Sequence, residues 1–441
     1  MLLNSRSFGG HPPPKERVVF LKTFTIDIRE NILEAKKEMD LVFKKSKTDS
    51  TSAEFIIIIS MMMALTALSI DAMLPALPKI SSDLGATNPN DRQLIISLIF
   101  FGQAVGQLFF GPLSDKTGRK PAIYAGYALF IVGSLISVFS INFSAMLIGR
   151  ALQGIGISAP RAVSMALVRD KLEGRRMAQV MSFASTIFIL VPMIAPTIGQ
   201  GILSFAGWRG IFGSFILFAL VTVVWFALRV PETLALEKRL PFSPKQIVDS
   251  TIKVVNIRTT LGYTLVLGLV QGVFLGYLNS SQQIFQEQYG LGTLFPLYFA
   301  VISLSLGVAS LANTRLVMRY GMDKLAQWAL NGIFALAILF LGAAAVYSGQ
   351  PPLWSLMTYL MMSFFCIGIL FGNISALAMQ PLGRFAGVGA AVVGSLSTLI
   401  STLLGTMIGQ SYNGTVLPLV IGMALLTGIS IFIVRWTTSS K

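Results

Sequence analysis

QLIISLIFFGQAVGQLFFGPLSDKTGRKPAIYAGYALFIVGSLISVFS, residues 93–140, sets two apolar stretches on either side of a polar gap running from Gly111 to Lys120. About twenty apolar residues wound as a helix cover the roughly 30 Å of hydrocarbon in a bilayer. The gap between them is too short for anything but a tight helical hairpin. These residues therefore predict two antiparallel membrane-crossing helices.

The same unit recurs along the chain. Apolar runs of crossing length lie near 55–78, 93–113, 121–140, 143–168, 177–202 and 208–229, and again near 259–283, 293–318, 325–347, 353–377, 384–411 and 414–435. Of 441 residues, 54% are hydrophobic and 12% charged, where soluble domains carry about 25% charged residues. Mean hydropathy is +0.72. The longest polar interval, 230–258, holds Glu232, Glu237, Lys238, Arg239, Lys245, Asp249, Lys253 and Arg258 and separates the two sets of six. The gap after the eighth run, Asn313-Thr-Arg-Leu-Val-Met-Arg-Tyr-Gly-Met-Asp-Lys324, repeats the basic residues around a glycine seen in Gly111 to Lys120. The expected fold is an all-α membrane protein of twelve transmembrane helices in two six-helix pseudo-repeats, with a site between them near mid-membrane. Its parts are a basic cytoplasmic tail (1–52), a first bundle (53–230), a cytoplasmic linker (231–258) and a second bundle (259–441).

The formal charge of +15 resides in short gaps between apolar runs, not in a stripe on a soluble domain, so nucleic acid is not an expected partner. Most of the 34 Lys and Arg fall in alternate gaps, the tail and the end. The remaining gaps hold only Lys79, Arg92 and Arg209, and Arg150 and Arg161 fall within a run. Basic residues are retained on the cytoplasmic side, which predicts both termini inside. The tail has no secretory-signal pattern, because His11 and Pro12 to Pro14 interrupt it. Ile28, Ile32, Ala35, Met39 and Val42 fit a short amphipathic helix on the leaflet; a loose tail and a translation start placed too far upstream are the alternatives. Cys366, the sole cysteine, cannot form an intrachain disulfide and reads as a small packing residue. There is no Gly-x-x-x-x-Gly-Lys-Ser/Thr phosphate loop, and the only histidine is His11, so neither an ATP-driven pump nor a membrane-embedded enzyme is expected. No cofactor or metal is expected.

Ionisable groups within lipid are expensive and mark function by default; here they are Asp71, Arg150 and Arg161. Asp71 lies about 16 residues into the first run and Arg150 about 7 into the fourth, which runs the opposite way, so both sit roughly 10 to 12 Å below one surface. They are expected to face each other. Burial and a neighbouring guanidinium act in opposite senses on a carboxyl's proton affinity, so gaining and losing this contact would couple transport to protons. A static ion pair that orders the bundle is the alternative. Arg161 follows Arg150 by about three helical turns, roughly 16 Å along the same face, as an anionic contact or an anchor.

Two proline clusters, Asp71-Ala-Met-Leu-Pro75-Ala-Leu-Pro78 and Pro192-Met-Ile-Ala-Pro196-Thr-Ile-Gly199, predict bent helices. In the gap after the second run, Asp115 is expected to accept from amides at a neighbouring helix N-terminus. Arg119 and Lys120 are expected to meet headgroups or the C-terminal carbonyls of another helix. Gly111, Asp115, Gly118, Arg119 and Lys120 would then latch one conformational state. In the second half, Gln271, Tyr277, Asn279, Gln282, Tyr298, Phe371 and Asn373 are candidate lining residues for an amphipathic ligand, with helix packing as the competing role for each.

Gly111-xxx-Asp115-xxx-Arg119-Lys120 resembles the loop between the second and third helices of the major facilitator superfamily. Arg150-Ala-Leu-Gln-Gly154-Ile-Gly156 resembles the fourth-helix motif whose arginine is linked to proton coupling. Ala195-Pro196-xx-Gly199 resembles the fifth-helix antiporter motif, with Gln200 and Ala195 where glycines are usual. Asp71-xx-Leu-Pro75-Ala-Leu-Pro78 and Asn373-xxx-Leu-Ala-Met379-x-Pro381 resemble the Bcr/CflA drug-resistance branch, although Met73 stands where an aromatic is common. The likeness covers 55–435. It implies a proton-coupled antiporter exporting small amphipathic molecules, such as bicyclomycin- or chloramphenicol-type drugs, across a bacterial inner membrane. Proton coupling would fall to Asp71 and Arg150, and substrate binding to Asp71, Gln271, Tyr277, Asn279, Phe371 and Asn373. Export or import of a metabolite and a transport-inactive receptor on the same fold are the other readings. The expected partners are a small-molecule substrate, protons and membrane lipid, and the expected unit is a monomer.

Overall fold

The structure is a computed structural model that describes residues 50–239 and 244–438. The expectations for the tail ahead of residue 50 lie outside the described residues. Helices run α1 Ser50–Asp71, a short α2 Leu77–Asp83, α3 Leu94–Thr117, α4 Arg119–Val138, α5 Phe143–Lys171 and α6 Gly174–Arg229. They continue as α7 Pro244–Asn256, α8 Arg258–Gln282, α9 Phe295–Tyr320, α10 Met322–Val346, α11 Leu353–Met379, α12 Ala386–Gln410 and α13 Leu417–Thr438. No strand occurs among the described residues.

Eleven described stretches are long and apolar enough to cross a membrane. One of them, Leu190–Arg229, has 40 residues, about twice the length a crossing needs. Gly207 breaks it with φ 66° and ψ −177°, a conformation nearly closed to residues with a side chain. The arms 174–206 and 208–229 are therefore separate crossings, and the total is twelve, as the apolar runs predict. The polar interval between the two sets contains α7, whose Val248 and Ile252 are exposed.

The proline clusters shape one feature jointly. α1 stops at Asp71, a 3₁₀ turn follows at Leu74–Ala76, and α2 resumes at Leu77. The ring of Pro75 would collide with the Asp71 carbonyl in a continuing helix, and that of Pro78 with the Leu74 carbonyl. Gly199 of α6 packs on this break so tightly that a Cβ there would fall 1.6 Å from the Ala72 carbonyl oxygen.

Helices in lipid associate through small residues that let backbones approach. Gly102 and Gly154 join α3 to α5 in this way, while Gly126, Gly133, Gly149 and Gly156 join α4 to α5. The pseudo-repeat is visible in two one-residue junctions. Gly118 between α3 and α4 (φ 101°, ψ 164°) and Gly321 between α9 and α10 (φ 79°, ψ 160°) adopt nearly the same backbone.

Candidate functional site

Asp71 is the last residue of α1 and is 4% exposed. Arg150 of α5 is fully buried and reaches α1 at the same level, donating from Nη2 to the Ser69 carbonyl at 3.0 Å. Its other bonds run from Nε to the Ile95 carbonyl at 2.9 Å and from Nη1 to Gln153 Oε1 at 2.6 Å. Its guanidinium also stands over the Phe212 ring, 5.8 Å from the centroid. No ion pair joins Arg150 to Asp71, which corrects the expectation that they face each other. Backbone carbonyls of α1 and α3 and a glutamine satisfy the guanidinium, so Arg150 clamps three helices together. The Asp71 carboxyl has no hydrogen-bond or ion-pair partner among the described residues.

Across from Asp71 stands the second half. The buried Tyr277 of α8 lies within electrostatic range of the Asp71 carboxyl, and its hydroxyl has no hydrogen-bond partner. The ring is held by Phe364 at 4.6 Å, edge to face, and by Phe299 at 5.8 Å, stacked. Phe274 extends this wall to Phe364 and Phe371, each at 5.9 Å. The combination is a carboxyl and a hydroxyl against aromatic faces, chemistry suited to a cationic or aromatic ligand. Phe274, Phe371 and Gln271 are half-buried. Asn373 is committed to packing, donating to Asn313 Oδ1 of α9 at 2.8 Å and to the Ile369 carbonyl. The amide nitrogen of Asn279 is likewise committed, donating to Ser97 Oγ at 3.2 Å and to the Gly405 carbonyl at 3.1 Å, while its Oδ1 is buried with no hydrogen-bond partner.

One end of the bundle is closed by contacts between the halves that the sequence did not announce. Arg92 makes a two-pronged ion pair with Glu287, and Gln93 donates to Gln283. Gln283 donates to Asn90 Oδ1 at 2.7 Å. Asn90 donates to the Gln410 and Tyr412 carbonyls at 3.0 and 2.9 Å, and Gln410 returns a bond to the Asn90 carbonyl. Deeper in, Thr406 donates to Ser97 at 2.7 Å. Gln283 and Glu287 belong to a π-helical turn, Gln283–Gln288, that follows α8; such turns recur at functional sites.

The opposite end carries the Gly111 to Lys120 loop, where Asp115, Arg119 and Lys120 find partners in the first half and at the start of the polar interval that follows it. Arg119 donates to Asp115 at 2.5 Å, to Asp170 of α5 at 2.8 Å and to Ser114 at 2.9 Å. The backbone amides of Arg119 and Lys120 both donate to Glu232 at 2.9 Å, and the amides of Thr233 and Leu234 donate to Glu232 at 3.0 Å. Burial pushes the Glu232 carboxyl up, but the four amides outweigh it and hold it below its ordinary value of 4.5. Asp115 was expected to take amides from a neighbouring helix. Glu232 instead caps the N-terminus of α4, and Asp115 pairs with Arg119. Lys120 does reach a helix C-terminus as expected, at the Ala227 carbonyl. Gly111 faces Ala391 of α12, whose Cβ would lie 3.9 Å from a Cβ added at Gly111. Of the antiporter-motif residues, Ala195, Pro196 and Gly199 are buried, with Gly199 on the α1 break.

A cavity of about 500 Å³ lined by Lys79, Asp83, Leu203, Ala206, Gly207, Trp208 and Arg209 lies at the break in α6. It includes none of the residues around Asp71 and Tyr277.

Twelve crossings in two related sets of six, meeting around a buried acid at a helix break, define a multi-pass membrane transporter. The chain belongs to the Major Facilitator Superfamily, whose sequence pattern matches residues 59–406. It is 30% identical over 359 residues to an uncharacterized MFS-type transporter, YdgK, of Bacillus subtilis, covering 80% of this chain and 87% of that one. It is 27% identical over 401 residues to a bicyclomycin resistance protein homolog of Haemophilus influenzae (87% and 96% covered). It is 26% identical over 344 residues to the multidrug resistance protein MdtL of Escherichia coli (78% and 85% covered). Two solved structures share the fold. The Escherichia coli xylose transporter XylE, in a partially occluded inward open conformation, superposes with a TM-score of 0.65 at 14% identity, covering 89% of this chain and 98% of that one. The human organic anion transporter MFSD10 gives 0.64 at 19% identity, with 87% and 99% covered.

Proposed function

We propose that this transporter is a proton-coupled antiporter that exports small amphipathic molecules across a bacterial inner membrane, with Asp71 carrying the coupled proton. The observation that supports this most directly is the buried Asp71 carboxyl, which has no ion-pair partner among the described residues and faces Tyr277 across the two halves. An acid in that position exchanges its proton only when one side of the membrane reaches it. A substrate arriving at the aromatic wall competes with the proton for the same carboxylate, a cation through its charge and a neutral drug through its hydroxyl or amide donors, and this competition is the coupling. Arg150 acts in this reading as a clamp that fixes the end of α1, not as the counter-ion.

Bicyclomycin- and chloramphenicol-type drugs fit an apolar site with few polar groups, and the names of the relatives agree with drug export. The distribution of Lys and Arg supports cytoplasmic termini. The Gly118 end then faces the cytoplasm, and the bonds around Gln93 close the opposite side. The test uses purified protein in vesicles with an imposed proton gradient and a labelled amphipathic cation. Wild type expels the compound against its gradient as protons move inward, and Asp71→Asn stops gradient-driven movement while the protein remains folded and inserted. Full transport by Asp71→Asn removes the acid from the mechanism. Gradient-driven accumulation in place of expulsion supports the alternative of metabolite import.

A further inference from the structure

Arg161 of α5 is half-buried and donates from Nη1 to Gln103 Oε1 of α3 at 2.9 Å. That bond commits the oxygen of Gln103, so its amide nitrogen is the end left over, and it has no partner although the residue is only 1% exposed. Gln107 follows one turn along the same face of α3, and its amide nitrogen also has no partner. Opposite it on α12 stands Gly394, where a Cβ would fall 2.6 Å from Gln107 Oε1, so only the missing side chain lets Gln107 reach the second half at this point. Two orphaned amide donors beside a guanidinium make a site rich in donors. A buried N–H left without a partner is costly, and its natural complement is an electron-rich oxygen.

We propose that Arg161, Gln103 and Gln107 form a second pole of the substrate site, which receives a carboxylate or similarly strong oxygen acceptor, so that preferred substrates are dipolar. This rests on the reading that the Asp71 and Tyr277 region is the substrate site. The Arg150 bond to the Ser69 carbonyl sets Asp71 and Arg150 at one level. Arg161 lies three helical turns further along α5, roughly 16 Å away at 1.5 Å per residue. The first pole offers a carboxyl and aromatic faces to a cation, and the second offers donors to an anion. An elongated aromatic zwitterion engages both, whereas a simple aromatic cation engages only the first.

A matched pair of dyes separates the poles: a cationic rhodamine ethyl ester and the same dye with its free carboxylate, whose binding to the purified full-length protein is read by fluorescence polarisation. The free acid binds wild type more tightly than the ester. Arg161→Ala weakens binding of the acid about 10- to 100-fold, the range of a hydrogen bond to a charged group, and of the ester less than about threefold. Gln107→Met breaks none of the bonds that Arg161 makes to Gln103, and it weakens the acid alone by about three- to tenfold, on the scale of one neutral hydrogen bond. Asp71→Asn weakens both dyes. Equal weakening of both dyes by Arg161→Ala, or no effect of Arg161→Ala and Gln107→Met on the acid, overturns the second pole. If wild type binds both dyes equally and only Asp71→Asn matters, the second pole falls while the substrate site at Asp71 stands. If wild type binds neither dye, that reading falls and takes this one with it.

Discussion

Two glycine turns, at Gly118 and Gly321, occupy matching places in the two halves with nearly identical dihedral angles, yet their surroundings differ in kind. At Gly118, a carboxylate from beyond α6 fills the space a side chain would take, and Glu232 Oε2 and Arg239 Nη2 stand 2.6 and 2.9 Å from its Cβ position. At Gly321 nothing lies within 4 Å. Where the first turn has Asp115 and Arg119, the second has Met318 and Met322 at the same offsets from the glycine. The hairpin needs only the glycine. The Asp115–Arg119 pair and the Glu232 strap are additions that the first turn has and the second lacks, so they serve something other than the fold.

The largest effect should come from setting Gly118→Ala against Gly321→Ala. Both place a side chain in a backbone region that costs about 1–3 kcal/mol, but only the first also displaces Glu232. Gly118→Ala should lose most of its transport and melt well below Gly321→Ala; equal losses would break the comparison. Next comes Arg119→Lys, since an ammonium cannot reproduce the fork that holds Asp115, Asp170 and Ser114 together. We expect transport to fall about tenfold, on the scale of one strong charged hydrogen bond, whereas Met322→Leu should leave it unchanged in the same vesicle assay.

Glu232→Gln should cost about 1–2 kcal/mol, because a neutral amide loses the attraction of the α4 N-terminus. The sign of its pH dependence is fixed. Glu232 sits below its ordinary 4.5 in the folded chain, so its contribution is complete above that pH and disappears as pH falls through the folded value. The gap in melting temperature between wild type and Glu232→Gln should be flat from neutral pH down to about 5 and close in stronger acid; a gap that widens there would reverse the assignment. The smallest effect is Asp323→Asn. The amide oxygen still accepts from Tyr263, 3.0 Å away, and a change below about 0.5 kcal/mol is expected in a thermal melt.

Features governed by local sequence were legible. Twelve crossings follow from runs of apolar residues, the hairpins from glycine, and the stop after Asp71 from Pro75 and Pro78. Depth along a helix was legible too, since Arg150 does meet α1 beside Asp71. Direction around the helix was not. Rise per residue places two groups at one level but does not say which carbonyls of α1 and α3 will claim a guanidinium. The contacts around Gln93 were hidden for a different reason. Asn90, Gln93 and Gln283 are neutral amides near helix ends, with neither charge nor depth to mark them, and their partners lie some 190 or more residues away in the chain. Glu232 was visible only as one charge among eight in a polar interval, because a carboxylate capping a helix more than 110 residues earlier leaves no periodicity to read.

The π-helical turn at Gln283–Gln288 is the only one among the described residues, and it holds an extra residue wound into the backbone. Were that slack drawn out into ordinary α-helix, everything on one side of it would swing by about 100° around the axis. Gln283 and Glu287 would point away from Asn90, Gln93 and Arg92 without the chain lengthening by more than a single step. The fastening between the halves is thus mounted on a turn with one residue to spare, and a one-residue deletion within 283–288 should undo it permanently.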